Sequence, residues 1–374
     1  MTFFYLFRAT IFLLLSSFFS RLSAERITSV PAIFVFGDSS ADVGNNNYIP
    51  SAPVDIRGNY PHYGIDFPSQ VPTGRFSNGY IGVDYLAKAM GFEQSPQPYL
   101  SLAKEEEDGV LQGVNFASGG SGILDSTGSV SISLKTQIEY FEKFRSILIR
   151  KLGERAASLH LAKSLFFVGT GGNDLIAYYT EFGPRINETM TRLFISSLGL
   201  KFEQHLKKLY GLGPRKFGLY GQTPIGCAPA LKIWNPSRGC MEDLNACSLL
   251  FNRVVRSRLD HLSSTLPGFK YSHANLYNSV VFLLENPDVY GFRQLESSCC
   301  GSGVLNAEEG CSPHSPYCHN REEYYFWDKY HPTQRGHEVL AMNAYNGSKV
   351  YAAPINIKQL VESGMEERNM HFSA

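Results

Sequence analysis

Short apolar runs recur along the chain, and a polar turn containing glycine follows each one. They occupy residues 32–36, 114–117, 165–168 and 217–220. Mostly apolar runs of four or five residues are typical of strands that are buried on both faces of a parallel sheet. The pattern therefore predicts several strands of such a sheet.

Helical patterns lie between these runs. The clearest has spacings of three and four residues, which place one stripe along one helix face. Its members are Leu244, Ser248, Phe251, Val255, Leu259 and Leu262. Segments 134–152 and 189–209 are further predicted helices. Strands that alternate with helices predict an α/β fold, whose ligand sites lie beyond the carboxyl ends of the strands.

The first 24 residues have the pattern of a secretory signal peptide. Arg8 precedes the apolar run 11–15, and small residues end the segment at Ala24. This order predicts cleavage before Glu25 and one domain over 25–374. A membrane anchor at 3–19 is the alternative, but Arg8 and several serines interrupt it and no stop-transfer pattern follows.

Composition and charge narrow the class of partner. The 374 residues carry 34 Lys and Arg against 34 Asp and Glu, so the formal net charge is zero. A neutral chain lacks the basic footprint of a nucleic-acid-binding protein. We therefore expect no nucleic-acid partner and no stable membrane insertion. The acidic run 105–108 is interpreted as a solvated loop.

Seven cysteines all lie in the second half of the chain. Export would make disulfides their default state, and the odd number leaves at least one thiol unpaired. A zinc site in the segment 299–319 is the alternative, but its Cys and His spacing matches no standard zinc pattern. Asn187 and Asn346 begin N-glycosylation triplets, which also suit an exported protein.

The first candidate for chemistry is a serine directly after an apolar run. Residues 37–39 read Gly-Asp-Ser behind the predicted strand 32–36, which would place the Ser39 hydroxyl at the open edge of the sheet. The alternative is an ordinary helix cap. Asp38 is expected to brace the turn and to take no part in the chemistry.

The second candidate is an aspartate three residues before a histidine. Asp328 can accept the Nδ1 proton of His331, which leaves Nε2 facing a nucleophile. The alternative is a surface histidine close to a helix start. The pair predicts an oriented general base.

Two glycine-rich turns could hold a developing negative charge. They span 116–122 and 168–174 and contain Gly120 and Asn173. Backbone and amide donors that are positioned in advance stabilise an oxyanion. A phosphate-binding loop is disfavoured, because the turn at 168–174 lacks the third glycine of that fingerprint.

In this order, the motifs resemble the SGNH/GDSL hydrolase superfamily. The likeness extends to the plant GDSL esterase/lipase branch through DSSADVGNN at 38–46, TGRFSNG at 73–79, VNFASGG at 114–120 and FWD at 326–328. It covers about residues 30–350. The resemblance implies a three-layer α/β/α sandwich, flavodoxin-like, with a mainly parallel central sheet.

The resemblance also implies roles for single residues. Ser39 would be the nucleophile, with His331 its base and Asp328 the group that orients the base. The Ser39 and Gly120 N–H groups and the Asn173 side chain would form an oxyanion hole. Where the family has leucine after the serine, this chain has Ser40. That position is expected to pack under the turn, so the substitution bears on the geometry of the turn.

The function implied is hydrolysis of small-molecule or lipid acyl esters through an acyl-enzyme, without metal or organic cofactor. The protein would be a secreted monomer of the cell wall or apoplast. Two alternatives stay open. An acyltransferase would use the same residues with an alcohol as acceptor, and a secreted binding glycoprotein would carry the site as a relict.

Overall fold

The structure is a computed structural model that describes residues 28–102 and 109–363. The predicted signal peptide and the acidic run 105–108 lie outside the described residues. Within them, no helix is both long and apolar enough to cross a membrane.

Five strands form the central sheet, in the order β1-β2-β3-β4-β7, and two more form a small separate sheet. The bounds are β1 Ile33–Gly37, β2 Leu165–Gly169, β3 Lys216–Tyr220, β4 Lys270–Ala274, β5 Gln294–Ser298, β6 Tyr324–Phe326 and β7 Ala352–Pro354. In the central sheet β1 to β4 are parallel, and β7 joins β4 in the antiparallel sense. The carboxyl ends of β1 to β4 therefore meet at one edge.

The predicted strand at 114–117 extends this sheet beyond β1, and residues 97–99 pair with its other side through Asn115. Val35 donates its N–H to the Val114 carbonyl over 3.0 Å, and Phe116 donates to the Val35 carbonyl over 2.7 Å. The segment thus runs parallel to β1 on the side away from β2. In chain order, the parallel strands then follow the flavodoxin-like sequence 2-1-3-4-5.

Helices cover both faces of the sheet. Their bounds are α1 Gly82–Ala89, α2 Leu134–Leu152, α3 Glu154–Lys163, α4 Gly172–Phe182, α5 Glu188–Gly211, α6 Pro229–Lys232, α7 Glu242–Thr265, α8 Leu276–Glu285, α9 Pro287–Tyr290, α10 Gln334–Asn346 and α11 Ile357–Glu362. On one face α2, α3, α5 and α7 pack together, and on the other α1, α8, α10 and α11 do so. The mainly parallel three-layer α/β/α sandwich is confirmed.

The helix predictions are confirmed as well. Segment 134–152 coincides with α2, segment 189–209 lies within α5, and every residue of the stripe on α7 is buried. The apolar side chains of that stripe belong to the main core of the molecule. Leu259 and Leu262 are wholly buried there.

The small sheet pairs β5 and β6 in parallel. Disulfides Cys299–Cys318 and Cys300–Cys311 begin directly after β5, and Cys227–Cys240 joins the ends of another loop. Cys247 is free and buried. The predicted disulfides and the unpaired thiol are therefore confirmed, and the four bonded cysteines of segment 299–319 are not zinc ligands.

Candidate active site

Ser39 stands on a tight turn at the carboxyl end of β1. At Gly37 the φ angle is 145°, and a Cβ would lie 2.1 Å from the Gly169 carbonyl oxygen of β2. Only glycine lets the two strands approach this closely. The Asp38 N–H then donates to the same carbonyl over 3.1 Å, so the turn is attached to β2.

Asp38 braces this turn, as its position in the sequence predicts. Its Oδ1 accepts hydrogen bonds from the Ser40 N–H over 2.9 Å and from the Ser40 hydroxyl over 2.8 Å. Burial raises the pKa of Asp38 to about 6. The expectation that residue 40 packs under the turn is wrong, because Ser40 is half-buried on the cavity wall. The bond from the Ser40 N–H to Asp38 does not depend on the side chain at position 40.

His331 lies between Ser39 and Asp328. Its Nε2 is 2.8 Å from the Ser39 Oγ, and its Nδ1 is 2.8 Å from Oδ2 of Asp328. Oδ1 of the same carboxylate accepts the N–H groups of Tyr330 and His331 over 2.8 Å each. Hydrogen bonds within the segment 328–331 therefore hold the Asp328 carboxylate against the His331 imidazole.

The electrostatics keep Asp328 ionised. Burial by itself raises the pKa of this carboxyl, but the neighbouring His331 and the donors Tyr330 N–H and Tyr63 hydroxyl lower it more. The net result is a pKa below its ordinary value of 3.8. A buried carboxylate beside an imidazole stabilises the imidazolium and selects its tautomer.

Tyr63 is a site residue that the sequence analysis missed. Its hydroxyl donates to Oδ2 of Asp328 over 2.7 Å. Burial raises the pKa of Tyr63 well above its ordinary value, so the hydroxyl stays a donor. The ring packs edge-on against Trp327, and Phe76 lies between Tyr63 and the His331 ring. No local pattern marks a residue that is 265 positions from its partner.

Gly120 and Asn173 face the same cavity as Ser39. Among the described residues, neither the Ser39 N–H nor the Gly120 N–H donates a hydrogen bond. Gly120 has φ 83°, a conformation that favours glycine. The Asn173 Nδ2 gives one hydrogen to the Ser121 carbonyl over 2.9 Å and keeps a second. Each of these three groups therefore has one N–H hydrogen that can be donated to a ligand.

Asp174 joins the two glycine-rich turns. Its carboxylate accepts the N–H groups of Ile123 and Leu124 over 2.8 and 3.0 Å and the Thr127 hydroxyl over 2.8 Å. Burial raises its pKa. Because Asp174 is the residue after Asn173 on α4, these bonds hold the turn bearing Gly120 against the helix bearing Asn173.

A second carboxylate, Asp42, organises the chain after Ser39. Its Oδ1 accepts the N–H groups of Gly44 and Asn45 over 2.7 Å each, and its Oδ2 accepts that of Gly119 over 2.9 Å. The Asn45 side chain donates to the Asn115 carbonyl over 2.8 Å. Asp42 is buried, and burial raises its pKa to about 6. Several members of the motif 38–46 are therefore structural.

All five residues predicted for catalysis line one cavity of about 710 Å³. They are Ser39, Gly120, Asn173, Asp328 and His331.

The predicted glycosylation residues lie outside this cavity: Asn187 is exposed at the start of α5, and Asn346 is exposed at the end of α10.

Comparison with known proteins gives a consistent picture. The sequence model of the family described as GDSL-like Lipase/Acylhydrolase matches residues 33–344. GDSL esterase/lipase At5g55050 of Arabidopsis thaliana is 36% identical over 90% of this chain and 92% of its own length. Another Arabidopsis thaliana protein, GDSL esterase/lipase At5g08460, is 38% identical over 90% of this chain and 89% of its own.

A solved structure is also similar, an extracellular lipase from Streptomyces rimosus. It is 13% identical, with a TM-score of 0.37, over 84% of this chain and 99% of that one.

Proposed function

This chain belongs to the GDSL-like lipase/acylhydrolase family and is a carboxylic ester hydrolase, and from that premise we propose that Ser39 is its nucleophile. His331 acts as general base and Asp328 orients it. The observation that carries this assignment is the unbroken chain of hydrogen bonds from Ser39 Oγ through the imidazole to Asp328, at 2.8 Å on each side.

Acylation begins when Ser39 Oγ attacks the ester carbonyl and His331 Nε2 takes its proton. The carbonyl oxygen becomes negative and accepts hydrogen bonds from the Ser39 and Gly120 N–H groups and from Asn173. Such donors act chiefly in the transition state. His331 then protonates the leaving alcohol as the carbon–oxygen bond breaks, and the acyl group stays on Ser39.

Deacylation repeats these steps with water. His331 takes a proton from the water, whose oxygen attacks the acyl carbonyl. The tetrahedral intermediate is held by the same three donors. When it collapses, the Ser39 oxygen leaves with the proton from His331, and the product is a carboxylic acid. Asp328 stays ionised throughout and stabilises the imidazolium.

Ser39→Ala tests the assignment, with Ser40→Ala as the matched control. Both variants remove one hydroxyl from the same turn, but only Ser39 touches His331. We expect Ser39→Ala to lose all measurable ester hydrolysis and all labelling by a fluorophosphonate probe. Ser40→Ala should keep both. Retention of wild-type turnover by folded Ser39→Ala would show that the nucleophile lies elsewhere.

Export is part of the same proposal. Three disulfides and the exposure of Asn187 and Asn346 suit a protein that folds in an oxidising compartment. N-terminal sequencing of the protein from the medium of expressing cells should begin near Glu25. Glycosidase treatment should lower its mass. An intact Met1 terminus in the membrane fraction would contradict the proposal.

A further inference from the structure

Gln137 is a wholly buried polar residue on the core-facing side of α2. The other buried residues of this helix are apolar: Leu134, Ile138, Phe141, Phe144 and Leu148. A buried amide is costly unless its donor and acceptor groups are hydrogen-bonded. The partners of Gln137 therefore indicate why an amide lies in an otherwise apolar stripe.

The amide of Gln137 binds the last residue of β1. Its Oε1 accepts the Gly37 N–H over 2.9 Å, and its Nε2 donates to the Gly37 carbonyl over 2.8 Å. Two residues earlier, the Val35 N–H donates to the strand at 114–117. Backbone groups two residues apart in a strand face the same side. Gln137 therefore supplies the acceptor for Gly37 that the neighbouring strand supplies for Val35.

The same amide reaches the turn that carries Gly120. The Gln137 Nε2 lies 3.2 Å from the Ser121 Oγ, and that hydroxyl donates to the Gly37 carbonyl over 2.8 Å. The Ser121 carbonyl accepts a hydrogen bond from Nδ2 of Asn173 over 2.9 Å. The network thus joins the chain before the nucleophile, the residue after Gly120 and the side chain of Asn173.

The two proposed backbone donors lie beside glycines that need support from outside. Gly37, two residues before Ser39, has φ 145°, and Gly120 has φ 83°. Glycine has more backbone freedom than any other residue, so bonds from neighbouring segments must fix such turns. A displacement of a group at the site by about 1 Å can cost up to about 10² in rate.

We propose that Gln137 is a positioning residue, which fixes the Ser39 and Gly120 N–H groups relative to each other. This inference rests on the proposed function, in which both groups bind the oxyanion. Gln137 does not line the cavity, so it acts through Gly37 and Ser121. Its loss should weaken binding of the transition state and leave binding of the ester almost unchanged.

Gln137→Met tests the proposal, because methionine is also unbranched and of similar length but lacks the amide. With p-nitrophenyl butyrate as substrate, kcat should fall by about tenfold and KM should change by less than about twofold. A trifluoromethyl ketone forms a tetrahedral oxyanion on a serine nucleophile. Its affinity should fall by the same factor as kcat/KM. Titration of active sites with a fluorophosphonate corrects for the amount of active enzyme.

Leu148→Ala separates positioning from a loss of stability. Leu148 is wholly buried on the same helix, about 16 Å further along its axis. Its truncation should lower the melting temperature, but kcat and the affinity for the ketone should match the wild type. If Gln137→Met does not fold, Ser121→Ala decides the question. It removes only the hydroxyl that lies between Gln137 and Gly37, and kcat and the affinity should then fall together by about threefold.

Three results would overturn the inference: wild-type kcat and ketone affinity in Gln137→Met, a raised KM with unchanged kcat, or equal losses in Leu148→Ala. Failure of the proposed function looks different. In that case Ser39→Ala would still hydrolyse the ester. A dead Ser39→Ala together with wild-type kinetics in Gln137→Met contradicts this inference alone.

Discussion

Two regions of the molecule meet at the cavity and hold their side chains by different means. The sheet-edge region, residues 37–46, 113–127 and 169–174, carries Ser39, Gly120 and Asn173. The disulfide region, residues 299–332, carries Asp328 and His331. The first continues the strands of the large sheet, whereas the second is mostly irregular chain beside a two-stranded sheet.

The sheet-edge region is held by buried hydrogen bonds. Asp42, Asn45 and Asn115 are wholly buried and bind backbone groups of neighbouring segments. Buried polar groups are tolerated when each is paired, and a fully paired network specifies one arrangement. This region therefore needs no covalent link.

The disulfide region has a small core of its own. Trp327 is wholly buried there, packed with Tyr63, Phe76 and the two disulfides. Cross-links that shorten the free chain reduce the entropy lost on folding. The comparison teaches that the chain carrying Ser39 is held by buried polar pairs. In the disulfide region, covalent bonds hold the segment that precedes Asp328 and His331, and hydrogen bonds within 328–331 hold these two residues themselves.

Apart from the loss of all activity expected for Ser39→Ala, the largest expected effect is in the disulfide region. Asp328→Asn should lower kcat by about 10⁴, because an amide favours the wrong tautomer of His331 while the geometry survives. Asp66→Asn is the control, since this carboxylate pairs with Arg321 of the same region and does not touch His331. Steady-state kinetics on one ester measure both. A loss below tenfold in Asp328→Asn would show that Asp328 is not the orienting group.

For Asn173 in the sheet-edge region the expected effect is smaller. Asn173→Ala removes one of the three proposed oxyanion donors and should lower kcat by about 10²–10³ with little change in KM. Circular dichroism confirms folding. A raised KM with unchanged kcat would mean that Asn173 binds the ground state and does not stabilise the oxyanion.

Removal of one disulfide tests whether the two regions unfold independently of each other. In a Cys300→Ser, Cys311→Ser double variant we expect a loss of about 2–4 kcal/mol in unfolding free energy. Hydrogen exchange should become faster in 299–332 but stay slow in 37–46. Equal loss of protection in both segments would show that the two regions unfold as one and would break the comparison.

The smallest effect concerns the hydrogen bond from Tyr63 to Asp328 of the proposed triad. Tyr63→Phe should lower kcat by about tenfold, since a hydrogen bond to a charged group contributes about 1.5–3 kcal/mol. Losing this donor raises the pKa of Asp328. The Asp328 carboxylate then stabilises the imidazolium of His331 more strongly, so acid removes the neutral base at a higher pH and the acid limb of kcat/KM should move to higher pH.

Tyr345→Phe is the matched control for that measurement. Its hydroxyl donates to the Ala89 carbonyl over 2.8 Å, away from the cavity, so its pH profile should match the wild type. An unmoved acid limb in Tyr63→Phe would show that Tyr63 is only a packing residue.

The sequence by itself determined the elements whose signal is local. The apolar runs predicted β1, β2, β3 and the strand at 114–117, and periodicity predicted α2 and α7. The pair Asp328 and His331 was also readable, because its hydrogen bonds join residues three positions apart. Short-range periodicity and short-range bonds need no knowledge of the rest of the chain.

Only the tertiary structure decided the rest. β4 escaped prediction because Ser272 and His273 are buried in it, so its pattern is not apolar. Ser39 and His331 are 292 positions apart, and the sheet order brings them together. The contact of Tyr63 with Asp328, the disulfide pairing and the cavity likewise depend on packing between distant segments. No local pattern of side chains specifies such contacts, because they are set by how the strands and helices assemble.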